Sequence, residues 1–156
     1  MKITTKTGDL GTTDLKNRRV SKASDIMELM GSLDEVSAEC ICLASTYPQY
    51  RTDMEQVVST LSSCCAVIGG YTSSLDSQST EHLQNRIAEL TERKEFRFHY
   101  PFDDPCSAQL NRIRTLVRRA ERCYWKAEDV QDTETGRYLN RLSDYFYALQ
   151  ISTKKG

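Results

Sequence analysis

Three stretches of this chain carry residue types that could do chemistry. The first is Thr4-Thr5-Lys6-Thr7-Gly8-Asp9-Leu10-Gly11-Thr12-Thr13. Glycines let backbone N–H groups turn inward, threonines donate hydroxyls and lysines supply charge, which together can cradle phosphates. Lys2, Lys6, Lys16, Arg18, Arg19 and Lys22 face only Asp9 and Asp14 in this segment. The spacing is not the Walker pattern GxxxxGK[ST], and a polar N-terminal tail is an equally open reading.

The second stretch is Arg112-Ile113-Arg114-Thr115-Leu116-Val117-Arg118-Arg119-Ala120-Glu121-Arg122. Wound as a helix of about 3.6 residues per turn, it lines up Leu110, Ile113, Val117, Ala120 and Tyr124 as one apolar stripe. Arg112, Arg119 and Arg122 then fall on a solvated face. Arg114, Arg118 and Glu121 fall at the stripe's border, where a partly desolvated charge needs a partner. Border arginines at i and i+4 form a fork suited to a carboxylate or a polyphosphate. A salt-bridged amphipathic helix with no ligand fits the same pattern.

The third stretch is Phe96-Arg97-Phe98-His99-Tyr100-Pro101-Phe102-Asp103-Asp104-Pro105, a loop fixed by two prolines. Its aromatics either pack onto the rest of the fold or wall in a large, flat organic molecule. The six cysteines form no CxxC or Cys/His zinc spacing, and only His82 and His99 could assist. They read as small, mostly buried apolar residues in a reducing compartment.

Positioning these groups falls to helices. Ile26, Leu29, Met30, Leu33, Val36, Cys40, Leu43 and Ala44 recur at helical steps, with Ser24 or Asp25 as cap and Pro48 as stop. Asp34 lies at that stripe's border, and Glu28, Glu35 and Glu39 point to the far side. Met54, Val57, Val58, Leu61, Cys64, Cys65 and Ile68 predict a second helix ending at Gly69-Gly70. A polar link over 72–79 leads to a shorter helix with Leu83, Ile87 and Leu90. The arginine-rich helix is fourth. Thr133 or Glu134 opens a fifth, whose stripe is Tyr138, Leu142, Tyr145 and Leu149, opposite Arg137, Asn140, Arg141 and Asp144. Lys154-Lys155-Gly156 reads as a frayed end.

With 156 residues and no repeat or linker, one all-α domain over 1–156 is expected, with residues 1–22 as loop and 23–153 as bundle. A net charge of -1 argues against a nucleic-acid binder, which needs a basic excess. The absence of a long apolar run or a signal-peptide core predicts a cytoplasmic protein off the membrane.

Three blocks in order resemble the ATP:cob(I)alamin adenosyltransferases of the propanediol-utilisation type. They are Thr5-Lys6-Thr7-Gly8-Asp9-x-Gly11-Thr12-Thr13 followed by Arg19-Val20-Ser21-Lys22 and Gly31-Ser32-Leu33-Asp34-Glu35; Arg114-x-x-x-Arg118-Arg119-Ala120-Glu121-Arg122; and Arg137-Tyr138-Leu139-Asn140-Arg141-Leu142-Ser143-Asp144. The resemblance implies a five-helix bundle with ferritin-like up-down packing, assembled as a homotrimer with active sites between subunits. It implies transfer of the 5′-deoxyadenosyl group of ATP to the cobalt of reduced cobalamin, with Mg²⁺ on the phosphates and a corrinoid reductase as partner. By motif, Thr5, Lys6, Thr7, Gly8, Asp9, Gly11, Thr12 and Thr13 would wrap the triphosphate, with Arg19 and Lys22 adding charge. Arg118 and Asn140 would hold ATP, with Glu121 orienting the arginine. Asp34 and Arg114 match a pair that joins adjacent subunits near the site. Phe98 matches the phenylalanine under the corrinoid, and Tyr100 and Phe102 flank it. No side-chain metal ligand is implied.

The chain departs from the family pattern in places. Tyr100-Pro101-Phe102-Asp103-Asp104 stands where Leu-Pro-Gly-Gly usually follows the loop phenylalanine. Lys16-Asn17-Arg18 replaces a glycine pair, and Leu149-Gln150-Ile151 replaces Leu-Ala-Arg. The ATP side is therefore better kept than the corrinoid side. A paralogue that binds ATP or adenosylcobalamin with little or no chemistry is the second reading.

Overall fold

A computed structural model describes residues 1–153; Lys154-Lys155-Gly156 lies outside the described residues. Five α-helices dominate: α1 (Asp25–Thr46), α2 (Arg51–Ile68), α3 (Ser77–Thr91), α4 (Pro105–Lys126) and α5 (Thr133–Ser152). Packing runs α2 on α1, α1 on α4, α4 on α5 and α5 on α3. Arg86 of α3 reaches Asp53 of α2 at 3.1 Å and closes the ring. The apolar stripes meet in one core that contains Leu29, Leu33, Val36, Leu61, Ile113, Val117, Leu139, Leu142 and Phe146, all essentially inaccessible to solvent. At ~25 cal/mol per Å² of apolar area, that burial is the main force holding the helices together.

Local chemistry explains the helix ends. Asp104 accepts a hydrogen bond from Ser107 N at 3.0 Å and Pro105 occupies the first turn of α4, where its missing N–H costs nothing. Asp132 caps α5 the same way: Oδ2 accepts from Thr135 N at 3.0 Å, from Thr135 Oγ1 at 2.8 Å and from Leu75 N at 3.2 Å. This one carboxylate ties the α2–α3 link to the α4–α5 turn.

Several expectations need correction. Residues 1–22 are not all loop: β1 (Thr12–Asp14) and β2 (Arg19–Ser21) form an antiparallel hairpin, with Thr13 opposite Val20. Ser24 is the N-cap residue of α1, but its hydroxyl donates back to Ser21 O at 2.6 Å rather than capping the helix. Helix α3 begins at Ser77, inside the expected polar link, because Asp76 caps it through Gln78 N at 3.0 Å.

Glu28, Glu35 and Glu39 do not point away from the bundle's contacts. Arg119 bridges Glu28 at 3.1 Å and Glu35 at 3.2 Å, and Arg112 meets Glu39 at 2.9 Å. Together with Lys126–Asp25 at 3.5 Å, these pairs fix α1 and α4 antiparallel. The face of α4 that carries Arg112 and Arg119 is therefore an α1-facing rim, not simple solvated surface. Among the cysteines, Cys40 and Cys64 are buried, Cys65, Cys106 and Cys123 partly so, and Cys42 is exposed on α1. Their thiols are free.

Candidate functional site

The N-terminal loop is held by one arginine. Arg19 donates from Nε to Thr12 Oγ1 at 2.8 Å, pairs through Nη1 with Asp14 at 2.8 Å and donates through Nη2 to the Thr7 carbonyl. A side chain expected to meet phosphate directly is thus engaged in folding the cradle. Gly11, at φ 83°, allows the turn that lets Lys22 N reach Gly11 O at 2.8 Å. At Gly8 a Cβ would stand 2.8 Å from Lys22 Nζ, the movable end of an exposed side chain, so the lysine ammonium lies directly over the loop backbone. Thr5 and Thr7 hydroxyls lie 3.0 Å apart. Among the described residues, neither Lys6 nor Lys22 has a carboxylate partner. The loop therefore presents two unneutralised ammonium groups beside four threonine hydroxyls, a composition suited to an anion with many oxygens.

A cleft of about 420 Å³ opens between α4 and α5, lined by Glu121, Tyr124, Trp125, Gly136, Arg137 and Asn140 among others. It brings Glu121 and Asn140 together as the motifs imply. Arg118 stands one turn before Glu121 on α4. Contrary to the border position read from the wheel, Arg118 is exposed in the single chain, as is Asp34. Neither has a hydrogen-bond or ion-pair partner among the described residues. Arg114 is half-buried, and its Nε and Nη2 both donate to Asn111 Oδ1, at 3.2 and 3.0 Å. The i, i+4 fork is therefore split, with one guanidinium held by its own helix and one free. Asp34 and Arg114 form no ion pair within the chain. No hydrogen bond or ion pair among the described residues links 5–13 to α4 or α5. The nearest tie is Arg18 of the hairpin turn to Asp129 of the α4–α5 connection, at 2.8 Å, so within one protomer no polar contact among the described residues joins the two halves of the expected nucleotide site.

The aromatic loop lies at the opposite end, between α3 and α4. Tyr147 of α5 clips it: its hydroxyl donates to Arg97 O at 2.8 Å and accepts from Arg97 N at 3.0 Å. Phe96 stacks on Tyr147 at 5.3 Å and meets Phe98 edge-on at 5.4 Å. Phe98 nonetheless stays 79% exposed, and Tyr100 and Phe102 are exposed too. None of these rings buries itself in the bundle; even Phe96, packed against Tyr147, is exposed. Only Phe98 of the three candidates lines the cleft of about 470 Å³ at this end.

The family model for cobalamin adenosyltransferases matches residues 3–153, nearly the whole fold just described. The chain belongs to the cobalamin adenosyltransferase family. A corrinoid adenosyltransferase of Bacillus subtilis is 34% identical over 165 residues, covering 95% of this chain and 84% of its own length. The corrinoid adenosyltransferase PduO of Salmonella typhimurium is also 34% identical, over 96% of this chain, but the match spans only 48% of that longer protein. Among solved structures, a variant PduO-type ATP:corrinoid adenosyltransferase from Lactobacillus reuteri, complexed with cobalamin and ATP, superposes with a TM-score of 0.87 at 24% identity, covering 97% of this chain and 90% of that one.

As a member of this family, the chain has cleft residues that motif reading passed over. Tyr124, Trp125 and Gly136 are the clearest. Gly136 sits inside the α5 pattern, where an isolated glycine signals close packing or function. Its missing side chain makes room for Tyr124 Cε1, only 2.8 Å from where a Cβ would be. Trp125, the sole tryptophan, lies one turn beyond Glu121 and is 57% exposed. A large exposed apolar ring on a charged face was the available signal.

Proposed function

We propose that the chain, as one adenosyltransferase domain over 1–156, transfers the 5′-deoxyadenosyl group of ATP to the cobalt of cob(I)alamin and releases triphosphate. The observation that carries this reading is a pair of incomplete charged half-sites. One is the threonine–glycine loop with Lys6 and Lys22 unpaired. The other is the α4–α5 cleft with Arg118 unpaired. An unmatched guanidinium beside a cleft is costly to cover unless an anion arrives, and triphosphate is such an anion. In a homotrimer the loop of one subunit would face the α4–α5 cleft of the next, and Asp34 would neutralise Arg114 across the same boundary.

The reaction is an in-line displacement. The cobalt lone pair forms the Co–C5′ bond, the C5′–O bond breaks, and its electron pair leaves on triphosphate; cobalt goes formally from +1 to +3. No proton moves, so no general base is needed. The chain's contribution is positioning and neutralisation of charge growing on the leaving group. Thr5, Thr7, Gly8, Gly11, Thr12 and Thr13 wrap the phosphates, and Arg19 keeps that wrap in shape. Lys6, Lys22 and Arg118 oppose the new charge. Asn140 and Glu121 orient nucleotide and arginine. Among the described residues no three His, Cys, Asp or Glu side chains converge as a metal cage. Mg²⁺, which takes phosphate oxygens and water as ligands, fits a loop of hydroxyls with Asp9 alongside; it would supply further charge neutralisation. Phe98 would sit beneath the corrin, displacing the lower cobalt ligand so that a reductase can deliver the electron. Among the described residues no helix is long and apolar enough to cross a membrane.

The test is anaerobic incubation with ATP, Mg²⁺ and chemically reduced cob(I)alamin, followed by the spectrum of the Co–C product. Stoichiometric adenosylcobalamin and triphosphate support the reading. Tight ATP binding without Co–C bond formation would instead establish the binding paralogue, which the bulky, acidic Phe102-Asp103-Asp104 segment favours.

A further inference from the structure

The cleft beside Phe98 is basic in a way that an apolar corrin face does not call for. Arg93, Lys94 and Arg97 line it with Phe98, His99 and Ile151, against the single carboxylate of Glu95. Lys94 Nζ donates to Ile151 O at 3.0 Å, which offsets the negative end of α5. Arg97 lies 4.0 Å from Glu95, at the outer limit of an ion pair. Arg93 has no ion-pair partner among the described residues. Its backbone is left-handed, φ 63°, a conformation disfavoured for arginine that turns the chain out of α3 and into the cleft wall. The Tyr147 clip on the backbone N–H and C=O of Arg97 holds the loop in place. The result is an open, net-cationic cleft of about 470 Å³, within the size range of small-molecule sites.

We propose that Arg93 and Arg97 bind the phosphodiester of the corrinoid's nucleotide tail, so that this cleft distinguishes complete corrinoids from ones lacking the tail. The proposal rests on Phe98 lying under the corrin, as in the function proposed above. The lower base of cobalamin is tethered to the ring through one phosphodiester, the only charged group of that tail at neutral pH. When Phe98 occupies the lower face, the freed tail must pass to the side on which Phe98 stands. Guanidinium matches a phosphodiester's two free oxygens in shape and charge. The cavity adjoining Phe98 offers two such groups with no strong internal partner.

The experiment compares pre-reduced cob(I)alamin with cob(I)inamide, which has the corrin but neither phosphate nor base. Steady-state KM and kcat are measured for the unmodified protein, Arg93→Ala, Arg97→Ala and the double variant, with Arg93→Lys as a charge-conserving control. The expected result is a rise in cobalamin KM of about fivefold per arginine, from an exposed charge-assisted contact of ~1 kcal/mol. In the same variants kcat and the cobinamide KM stay within twofold, Arg93→Lys recovers part of the loss, and added salt narrows the native preference for cobalamin. Equal rises for both corrinoids would overturn the proposal and make the arginines part of the corrin wall. No change for either, or a change confined to the KM for ATP, would overturn it too. If the unmodified protein adenosylates neither corrinoid, it is the function proposed above that fails.

Discussion

Replacing Gly136 with alanine tests how tightly the α4–α5 cleft, proposed above to hold the nucleotide, depends on the packing behind it. In an open helix that change would stabilise by ~1 kcal/mol, because glycine is a poor helix former. Here the added Cβ would lie 2.8 Å from Tyr124 Cε1, 3.1 Å from its hydroxyl and 3.2 Å from Cζ. Tyr124 is 1% exposed and cannot swing into solvent freely. Its hydroxyl also donates to Asp132 O at 2.6 Å, on the residue that caps α5. Overpacking of this kind costs about 1–3 kcal/mol, and a strained or lost hydrogen bond adds about 1 kcal/mol. Set against the helix gain, the net is a destabilisation of about 1–3 kcal/mol, or roughly 3–10 °C in Tm for a chain of this size. Urea titration followed by helical circular dichroism measures it, with an unchanged slope showing that the transition is the same. Because Gly136 and Tyr124 both line the cleft, the KM for ATP should rise in parallel. A variant as stable as the original, or more stable, would refute the close-packing argument.

Arg118→Ala should lower kcat/KM on the order of 100-fold, a loss of ~3 kcal/mol of charge-assisted stabilisation, while size-exclusion chromatography shows the same assembly; a near-native rate would remove Arg118 from the site. Phe98→Ala should slow adenosylation from cob(II)alamin with a reductant far more than from pre-reduced cob(I)alamin, and equal losses would end its ligand-displacing role. Burial pushes the Cys40 and Cys64 thiols from 9.0 up to about 12. Folding holds their protons longer than the unfolded chain does, so their contribution is complete below about pH 9 and is lost as pH climbs toward 12, by ~1.4 kcal/mol per unit for each thiol. Burial of Tyr138 and Tyr145 acts in the same direction. Denaturant midpoints should fall steeply above pH 9, and at pH 8 iodoacetamide should label Cys42 but neither buried thiol; a flat pH profile or labelled Cys40 would contradict this.

Helical periodicity made the bundle legible, because each apolar stripe from Ile26 to Leu149 repeats at the helix period and had to be buried. The hairpin was not, since Thr12–Asp14 and Arg19–Ser21 are too short to show alternation and are assembled by the reach of Arg19 across the loop. Glu28, Glu35 and Glu39 were misplaced for a related reason. Distance from an apolar stripe on a wheel does not say whether a neighbouring helix offers arginines at the rim. Motif spacing placed Glu121 and Asn140 in one cleft, whereas Gly136 and Tyr124 depend on a contact between α4 and α5 that no single-helix pattern encodes. Asp34 and Arg118 were read as half-desolvated, yet both stand free in the protomer. Among the described residues, nothing within the protomer covers either side chain.

The central claim is that one subunit's threonine loop completes its neighbour's arginine cleft, and mixed assemblies test it most directly. Lys6→Ala/Lys22→Ala subunits, defective in the loop, are co-expressed with Arg118→Ala subunits, defective in the cleft, under two affinity tags. Each alone should be nearly inactive. If sites form head-to-tail between subunits of a trimer, each mixed assembly purified through both tags places an intact loop against an intact cleft at about one interface in three, and activity should recover to that fraction. Mixed assemblies as inactive as either parent would show that both halves must come from the same chain.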